Sequence, residues 1–147
     1  MAGDQGEYLA SPRDSSKVRA LLDTNVLVRH LTGDPPAQAK RATAFLRGSH
    51  ELILTDLVLA EMVYVLESFY EVPRTDIARM ARSLLALPSI ETGDHELLLR
   101  TVEIYEVLRL DFAEAYLSAL AEMSDVKRVA SFDRQIDRVK SIERVEP

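Results

Sequence analysis

The stretch VRALLDTNVLVRHL, residues 18–31, decides the fold class, because one apolar run passes through an aspartate into a second apolar run. VRALLD is typical of a short buried strand, and NVLVRHL can begin a helix. Asp23 stands at the junction between the two. A charged residue at such a junction fits a turn, a helix cap or a chemical role, so its function depends on the rest of the chain.

Strand and helix patterns continue to alternate along the chain. The turn cluster TGDPP at 32–36 separates two segments, and Thr55 or Asp56, Thr75 and Asp94 are placed to cap helices. Further strands are predicted at 51–55, 89–92, 127–132 and 141–146, and further helices at 37–48, 57–70, 76–87, 95–108, 111–122 and 133–139. Strands separated by helices predict an α/β domain with a mostly parallel sheet.

Length and composition indicate one domain in a reducing compartment. The chain has 147 residues, and we predict a flexible N-terminal extension at 1–17 followed by a domain at 18–147. The chain has no cysteine, its start is polar and acidic, and its apolar runs are too short to span a bilayer. We therefore expect a soluble, cytoplasmic protein without a membrane partner.

The net charge of −6 argues against broad, sequence-independent binding of nucleic acid, because that binding relies on Lys and Arg. It does not argue against a metal-dependent nuclease. Such an enzyme needs a cluster of carboxylates, and bound divalent cations reverse the local sign of the electrostatic field.

Five acidic residues stand at informative places. Asp23 and Asp133 follow predicted strands, and Glu61 lies among apolar neighbours in the helix after the second strand. Asp111 and Glu114 share one face in the first turn of another helix. Because ligand sites of parallel sheets gather at the carboxyl ends of the strands, all five acids can converge there. Their mutual repulsion would then call for a divalent cation, and oxygen ligands favour Mg²⁺ or Mn²⁺.

Each acid also has a purely structural interpretation. Asp23, Asp111, Glu114 and Asp133 are all placed where acids stabilise helix N-termini. Glu61 could instead form a buried ion pair with an arginine, because a lone acid on an apolar helix is rarely left without a partner. The residues alone leave these alternatives open.

Four segments of the chain resemble, in order and spacing, the motifs of the PIN domain. They are ALLDTNVLV at 20–28, LTDLVLAEMVYVL at 54–66, LDFAEAYLSALA at 110–121 and VASFDRQI at 129–136. The similarity is greatest to the toxin component of VapBC-type toxin–antitoxin pairs, and it covers nearly all of residues 18–140. It implies an α/β/α sandwich with helices on both faces of the sheet.

The resemblance also implies an activity, a metal and a set of site residues. It implies a ribonuclease that hydrolyses RNA phosphodiesters with bound Mg²⁺ or Mn²⁺ and without a covalent nucleophile. As a toxin it would inhibit translation and bind a cognate antitoxin. The implied acids are Asp23, Glu61, Asp111, Glu114 and Asp133, with Asn25 and Ser131 as supporting polar residues and Arg29 and Arg134 as candidates for phosphate binding.

One position departs from the pattern of the family. Many relatives have aspartate where this chain has Glu114, and the longer side chain moves the carboxylate by one methylene. Either the metal or its bound water shifts to meet it, or Asp111 carries more of the coordination.

Other functional classes remain to be separated from the nuclease. A phosphotransferase of the haloacid-dehalogenase type needs a second acid where this chain has Asn25, and no glycine-rich phosphate-binding loop is present. His30, His50 and His95 lack ligand spacing, and we expect them on the surface. The serious rival is an interaction module with little or no nuclease activity that binds an antitoxin and represses its operon. Helices 57–70 and 75–87 favour it, because they carry more apolar side chains than one core face requires. Helix 57–70 is apolar almost all the way round, so we expect two of its faces to be covered. The same surfaces could support a homodimer.

Overall fold

A computed structural model describes residues 17–147. The flexible extension predicted for residues 1–17 lies, apart from Lys17, outside the described residues. The strands are β1 (Arg19–Leu21), β2 (Glu51–Ile53), β3 (Ile90–Glu91), β4 (Arg128–Ala130) and β5 (Glu143–Val145). They pair in the orders β1-β2-β3 and β4-β5, and every pairing is parallel. The predicted parallel sheet is therefore confirmed, in two hydrogen-bonded portions.

Within residues 17–147, six α-helices connect and cover these strands. They are α1 (Thr24–Thr32), α2 (Pro36–Leu46), α3 (Asp56–Ser68), α4 (Arg74–Leu85), α5 (His95–Glu103) and α6 (Phe112–Met123). The predicted helix 95–108 is wound as an α-helix only to Glu103 and continues as a π-helical segment, Ile104–Leu108. A 3₁₀ turn, Arg134–Arg138, occupies the place of the last predicted helix. Strands alternating with helices confirm the α/β class and the expected α/β/α architecture.

Side-chain caps start most of the helices at the predicted places. Thr55 Oγ1 accepts the backbone N–H of Val58 at 3.2 Å, and an Asp94 carboxylate oxygen accepts that of Leu97 at 3.0 Å. The predicted cap at Thr75 is wrong. Helix α4 already begins at Arg74, after Pro73, whose φ of −61° suits a helix entrance without a side-chain cap.

Arg74 holds the start of α4 against the π-helical segment. Its Nη1 donates to the backbone carbonyls of Tyr105 at 2.8 Å and Leu110 at 2.5 Å. Its guanidinium carbon also lies 4.3 Å from the centre of the Tyr105 ring. Arg74 thus links the start of α4, the π-helical segment and Leu110, the residue directly before Asp111.

A single apolar core lies among the helices and one side of the strands. Its largest fully buried members include Leu27, Leu52, Leu59, Met62, Leu84, Leu98 and Tyr105. Each helix contributes one stripe to this core, as amphipathic helices of a layered domain do.

Three predictions about apolar segments are wrong. The first strand is not buried, because Leu21 points away from the core and is 69% exposed. Helix α3 is not covered on two faces, since Leu57 and Tyr64 are 79% and 67% exposed. On α4, by contrast, no large apolar side chain is exposed, because Ile77, Leu84 and their apolar neighbours face the core.

The histidines also correct a prediction. Only His95 is exposed, whereas His30 and His50 are half-buried. His30 Nδ1 lies 2.7 Å from Thr43 Oγ1, and burial lowers its pKa. The His50 ring stacks on Phe45 with centroids 4.5 Å apart. Both rings pack where neighbouring segments meet, which single-sequence spacing does not reveal.

Within residues 17–147, no helix is both long enough and apolar enough to cross a membrane.

Candidate active site

Asp23 occupies the turn between β1 and α1. One of its carboxylate oxygens, Oδ1, accepts the backbone N–H of Thr24 at 2.8 Å, so Asp23 is the N-cap of α1. The cap engages Oδ1 and sets the direction in which the carboxylate projects. The structural interpretation of Asp23 is therefore realised, and it is compatible with a chemical one because a carboxylate has two oxygens.

Glu61 meets the same turn from α3. Its carboxylate accepts a short hydrogen bond from the hydroxyl of Thr24, which is buried. Glu61 itself is exposed, so the alternative of a buried ion pair with arginine is wrong. Thr24 is a site residue that the sequence analysis missed. The sequence shows that the Thr24 hydroxyl lies next to Asp23. It does not reveal the hydrogen bond to Glu61, which lies 37 residues further along the chain.

Asp23 and Glu61 line one cavity of about 420 Å³. Asn25 and Arg29 of α1 share this cavity, and the Nε atom of Arg29 is buried without a hydrogen-bond partner in the described part of the chain. The wall opposite carries Phe69, which the sequence analysis did not single out. The cavity thus joins two carboxylates, an amide and a guanidinium that has unused donor capacity.

A second group of acids lies at the start of α6. Asp111 caps this helix by accepting the backbone N–H of Glu114 at 2.8 Å. Burial, a hydrogen bond with the Asp133 carboxyl and the charge of Asp111 raise the pKa of Glu114 to about 7. The backbone N–H of Gln135 and the same bond with Glu114 lower the pKa of Asp133. Of the two carboxyl groups, Glu114 therefore binds a proton more readily than Asp133.

The segment that carries Asp133 is held at several points. The backbone N–H of Asp133 donates to Ser131 Oγ at 2.9 Å, and Asp133 Oδ1 accepts the N–H of Gln135 at 2.9 Å. Arg144 of β5 donates to the Ser131 carbonyl at 3.0 Å, and its side chain is only 11% exposed. Ser131 thus orients the backbone around Asp133, and Arg144 is a second positioning residue that the sequence did not reveal.

The predicted site residues therefore fall into two contact groups, Asp23 with Glu61 and Asp111 with Glu114 and Asp133. Over residues 17–147 no three or more His, Asp or Glu side chains are arranged as a ready metal site. Arg134 is exposed at the start of the 3₁₀ turn, next to Asp133.

The chemistry of the second group fits a divalent cation. Glu114 Oε1 is buried and accepts no hydrogen bond from the rest of the described protein, although two further carboxylates surround this side chain. A buried carboxylate oxygen without a partner is costly, and a proton or a cation relieves that cost. Hard, oxygen-binding cations are the ones such a donor set favours.

We predict that Glu114 makes the metal-free protein less stable as pH rises. The folded state raises its pKa from the ordinary value of 4.5 to about 7, so the folded state binds more protons than the unfolded state between these values. Stability from this group is complete below pH 4.5 and is lost as pH rises through 7, by roughly 1–2 kcal/mol after allowance for solvent screening.

Thermal unfolding in EDTA from pH 4 to pH 8 checks this prediction. Glu114→Gln should flatten the pH dependence, whereas Glu96→Gln, at an exposed position, should leave it unchanged. Mn²⁺ added at pH 8 should stabilise the parent more than the Glu114→Gln protein. Equal pH profiles for the parent and Glu114→Gln would contradict it.

A family of known proteins matches most of the chain. The model of the PIN domain family matches residues 20–142, which include both groups of acids. No curated protein matches the chain. Because the family model spans most of its length, the chain belongs to the PIN domain family, whose members are generally nucleases.

Proposed function

We propose that the chain is a metal-dependent endoribonuclease and the VapC-type toxin of a VapBC toxin–antitoxin pair, which acts in the cytoplasm by inhibiting translation. Membership of the PIN domain family supports the nuclease part of this proposal. The observation that carries the metal dependence is the half-buried Glu114 side chain, whose Oε1 atom is buried and has no hydrogen-bond partner among the described residues, with Asp111 and Asp133 close by. A divalent cation is the partner that satisfies this donor set while all the acids remain ionised.

All five acids have the same role in the proposal, but the two contact groups differ in their position relative to the cavity. Asp23, Glu61, Asp111, Glu114 and Asp133 would hold Mg²⁺ or Mn²⁺, and the first two lie on the cavity that admits substrate. Such a cation, when bound, acidifies water and stabilises charge on a leaving oxygen. The chain's own task is to place an RNA phosphodiester beside these acids and to keep it in one orientation.

Polar and basic residues would orient the RNA. Asn25 and Arg29 line the cavity of Asp23 and Glu61, and the guanidinium of Arg29 has a buried Nε that lacks a partner within residues 17–147. Arg29 is therefore the better supported of the two phosphate-binding candidates. Arg134 is solvent-exposed beside Asp133, where it can contact a flanking phosphate. Ser131 acts indirectly, by holding the backbone of Asp133.

Thr24 tests whether the orientation of Glu61 matters. Thr24→Val keeps the side-chain shape but removes the hydroxyl that donates to Glu61. Since a hydrogen bond to a charged group contributes about 1.5–3 kcal/mol, we expect RNA cleavage to fall roughly tenfold or more. Thr24→Ser restores the donor and should recover most of the rate. Equal rates for the valine and serine proteins would show that the hydroxyl has no role in orienting Glu61.

Incubation with total cellular RNA tests the proposed activity directly. The purified chain is incubated with RNA in Mn²⁺, in Mg²⁺ and in EDTA, and the cut ends are mapped by sequencing. We expect one or a few discrete cleavage sites with either metal and none in EDTA. The absence of any metal-dependent product from the parent protein would contradict the enzyme.

A second candidate function is an interaction module whose main role is antitoxin binding and repression of its operon. One surface favours it: an apolar groove between α3 and α6, of about 490 Å³. Leu57, 79% exposed, and Leu117, 48% exposed, flank this groove, and Phe112 forms part of its floor. An amphipathic helix of an antitoxin fits a groove of this chemistry.

The same groove could instead be covered by a second copy of the chain, which is how the expected homodimer would form. Leu57→Glu should weaken antitoxin binding while RNA cleavage by the free chain persists, because Leu57 does not line the cavity of Asp23. Light scattering of the parent and Leu57→Glu proteins distinguishes the homodimer from the antitoxin as the occupant. EDTA distinguishes the two candidate functions, because RNA cleavage requires a bound metal and antitoxin binding does not.

A further inference from the structure

Phe69 is an aromatic side chain that the fold leaves uncovered. It directly follows α3 and is 76% exposed, although one face of that helix packs against the core. The neighbouring Tyr70 ring meets it nearly at right angles, at 80°, with centroids 5.0 Å apart. This contact fixes the orientation of the Phe69 ring without covering it.

Phe69 belongs to the same stripe of α3 as Glu61. Glu61, Val65 and Phe69 follow one another at intervals of four residues, and all three line the cavity of about 420 Å³. The rise of a helix places the backbones of Glu61 and Phe69 about 12 Å apart. Leu57 and Tyr64, the other exposed apolar residues of α3, do not line this cavity.

The opposite wall of the cavity supplies a cation. Arg29 lines it from α1, one helical turn after Asn25, and its Nε atom has no hydrogen-bond partner among the described residues. The cavity therefore carries Asp23 and Glu61 at the start of α1, the exposed Phe69 ring after α3 and the guanidinium of Arg29 on α1. Asp34, which follows α1, also lines it. A cavity of this volume is large enough for a small ligand.

We propose that this cavity is a nucleotide subsite for single-stranded RNA, in which an unpaired base stacks on Phe69 and Arg29 binds the adjoining phosphate. The inference rests on the proposed function, which it deepens by assigning a base-stacking residue and a phosphate-binding residue beside the proposed catalytic acids. Because Phe69 stands about 12 Å along α3 from Glu61, the stacked base belongs to a nucleotide that flanks the cleaved bond. A base in a duplex cannot present its face to a side chain, so the subsite selects unpaired segments.

Binding of a fluorescent RNA tests the subsite without relying on cleavage. The probe is a single-stranded RNA that carries 2-aminopurine, whose fluorescence falls when it stacks on an aromatic ring. It is titrated with the full chain carrying Asp23→Asn, so that the probe stays intact, in the presence of Mg²⁺. Anisotropy gives the Kd, and fluorescence intensity reports stacking as the 2-aminopurine is moved along the RNA.

Substitutions of Phe69 in this protein give the decisive result. Phe69→Ala should weaken binding about tenfold or more and abolish the fluorescence quenching, because stacking on one aromatic residue contributes about 1–3 kcal/mol. Phe69→Trp should retain both. Tyr64→Ala is the matched control, since Tyr64 is 67% exposed on the same helix but outside the cavity, and it should change neither. Equal affinities for the Phe69→Ala and Tyr64→Ala proteins would overturn the subsite.

Two further measurements address the phosphate and the strand. Arg29→Met should weaken binding and reduce the dependence of the Kd on salt, because it removes one phosphate contact. The same RNA annealed to its complement should bind at least about tenfold more weakly than the single strand. Equal binding of duplex and single strand would overturn the selection for unpaired segments.

Failure of the subsite is distinguishable from failure of the nuclease. If the parent chain cleaves RNA in a metal-dependent way while Phe69→Ala binds and cleaves like the parent, the subsite is wrong and the nuclease stands. If the parent cleaves no RNA while Phe69→Ala loses binding and quenching, the nuclease is wrong and the subsite stands.

Discussion

Asp23→Asn and Glu61→Gln are each expected to reduce metal-dependent RNA cleavage at least about a hundredfold while the protein stays folded. Each change removes one negative charge from the cavity and keeps the size of the side chain. Loss of a ligand charge weakens cation binding and the stabilisation of charge in the transition state, which together contribute several kcal/mol. Cleavage of total RNA under saturating Mn²⁺ measures the loss.

The folded state tolerates both substitutions. Asn is as good an N-cap as Asp, so α1 keeps its cap when Asp23 is replaced. Glu61 is exposed, and surface substitutions usually change stability by less than about 0.5 kcal/mol. Glu91→Gln, an exposed acid on β3, serves as the control that should retain full activity. Cleavage at the parent rate by both variants would exclude these carboxylates from catalysis.

Arg74→Met is expected to lower the free energy of unfolding by about 3–5 kcal/mol, more than any other substitution proposed above. Tyr105 and Leu110 are fully buried, and the change leaves the carbonyl that each presents to Arg74 without that donor. Each lost partner costs about 1–3 kcal/mol, and the contact of the guanidinium with the Tyr105 ring adds about 0.5–2 kcal/mol. Urea unfolding monitored by circular dichroism measures the difference in free energy of unfolding.

Two further variants separate this effect from the general loss of a positive charge. Arg79→Met removes an arginine from the same helix whose ion pair with Asp76 is exposed, so its cost should stay below about 1 kcal/mol. Arg74→Lys keeps the charge but lacks the planar fork of donors, and it should lie between the parent and Arg74→Met. Equal unfolding free energies for Arg74→Met and Arg79→Met would refute the role of the two carbonyls.

Local features of the fold could be predicted from the sequence because their causes lie within a few residues. Helical and strand periodicity located the six helices and the parallel strands, and the short side chains of Thr55 and Asp94 marked helix starts. The predicted helix start was wrong where a neighbouring residue could begin the helix earlier. Thr75 has the chemistry of a cap, but Pro73 starts α4 earlier, and Arg74 anchors that start through contacts more than 30 residues away.

The pattern of exposure could not be predicted, because an apolar run does not record which of its faces the fold covers. Leu21 and Leu57 belong to strongly apolar segments, yet both are largely exposed. Their neighbours Leu22 and Leu59 are buried within the same segments. Only the packing of helices against the strands distinguishes one face from the other.

For the candidate site, the sequence by itself determined where acids stand along the chain and which strand or helix carries each. It placed Asp23 after the first strand and Asp111 and Glu114 in one helical turn, because these relations are local. Tertiary structure decided the contacts: Thr24 with Glu61, Glu114 with Asp133, and Phe69 on the cavity of Asp23. These pairs meet because parallel strands joined by helices bring distant segments together at one end of the sheet, and no local pattern encodes that approach.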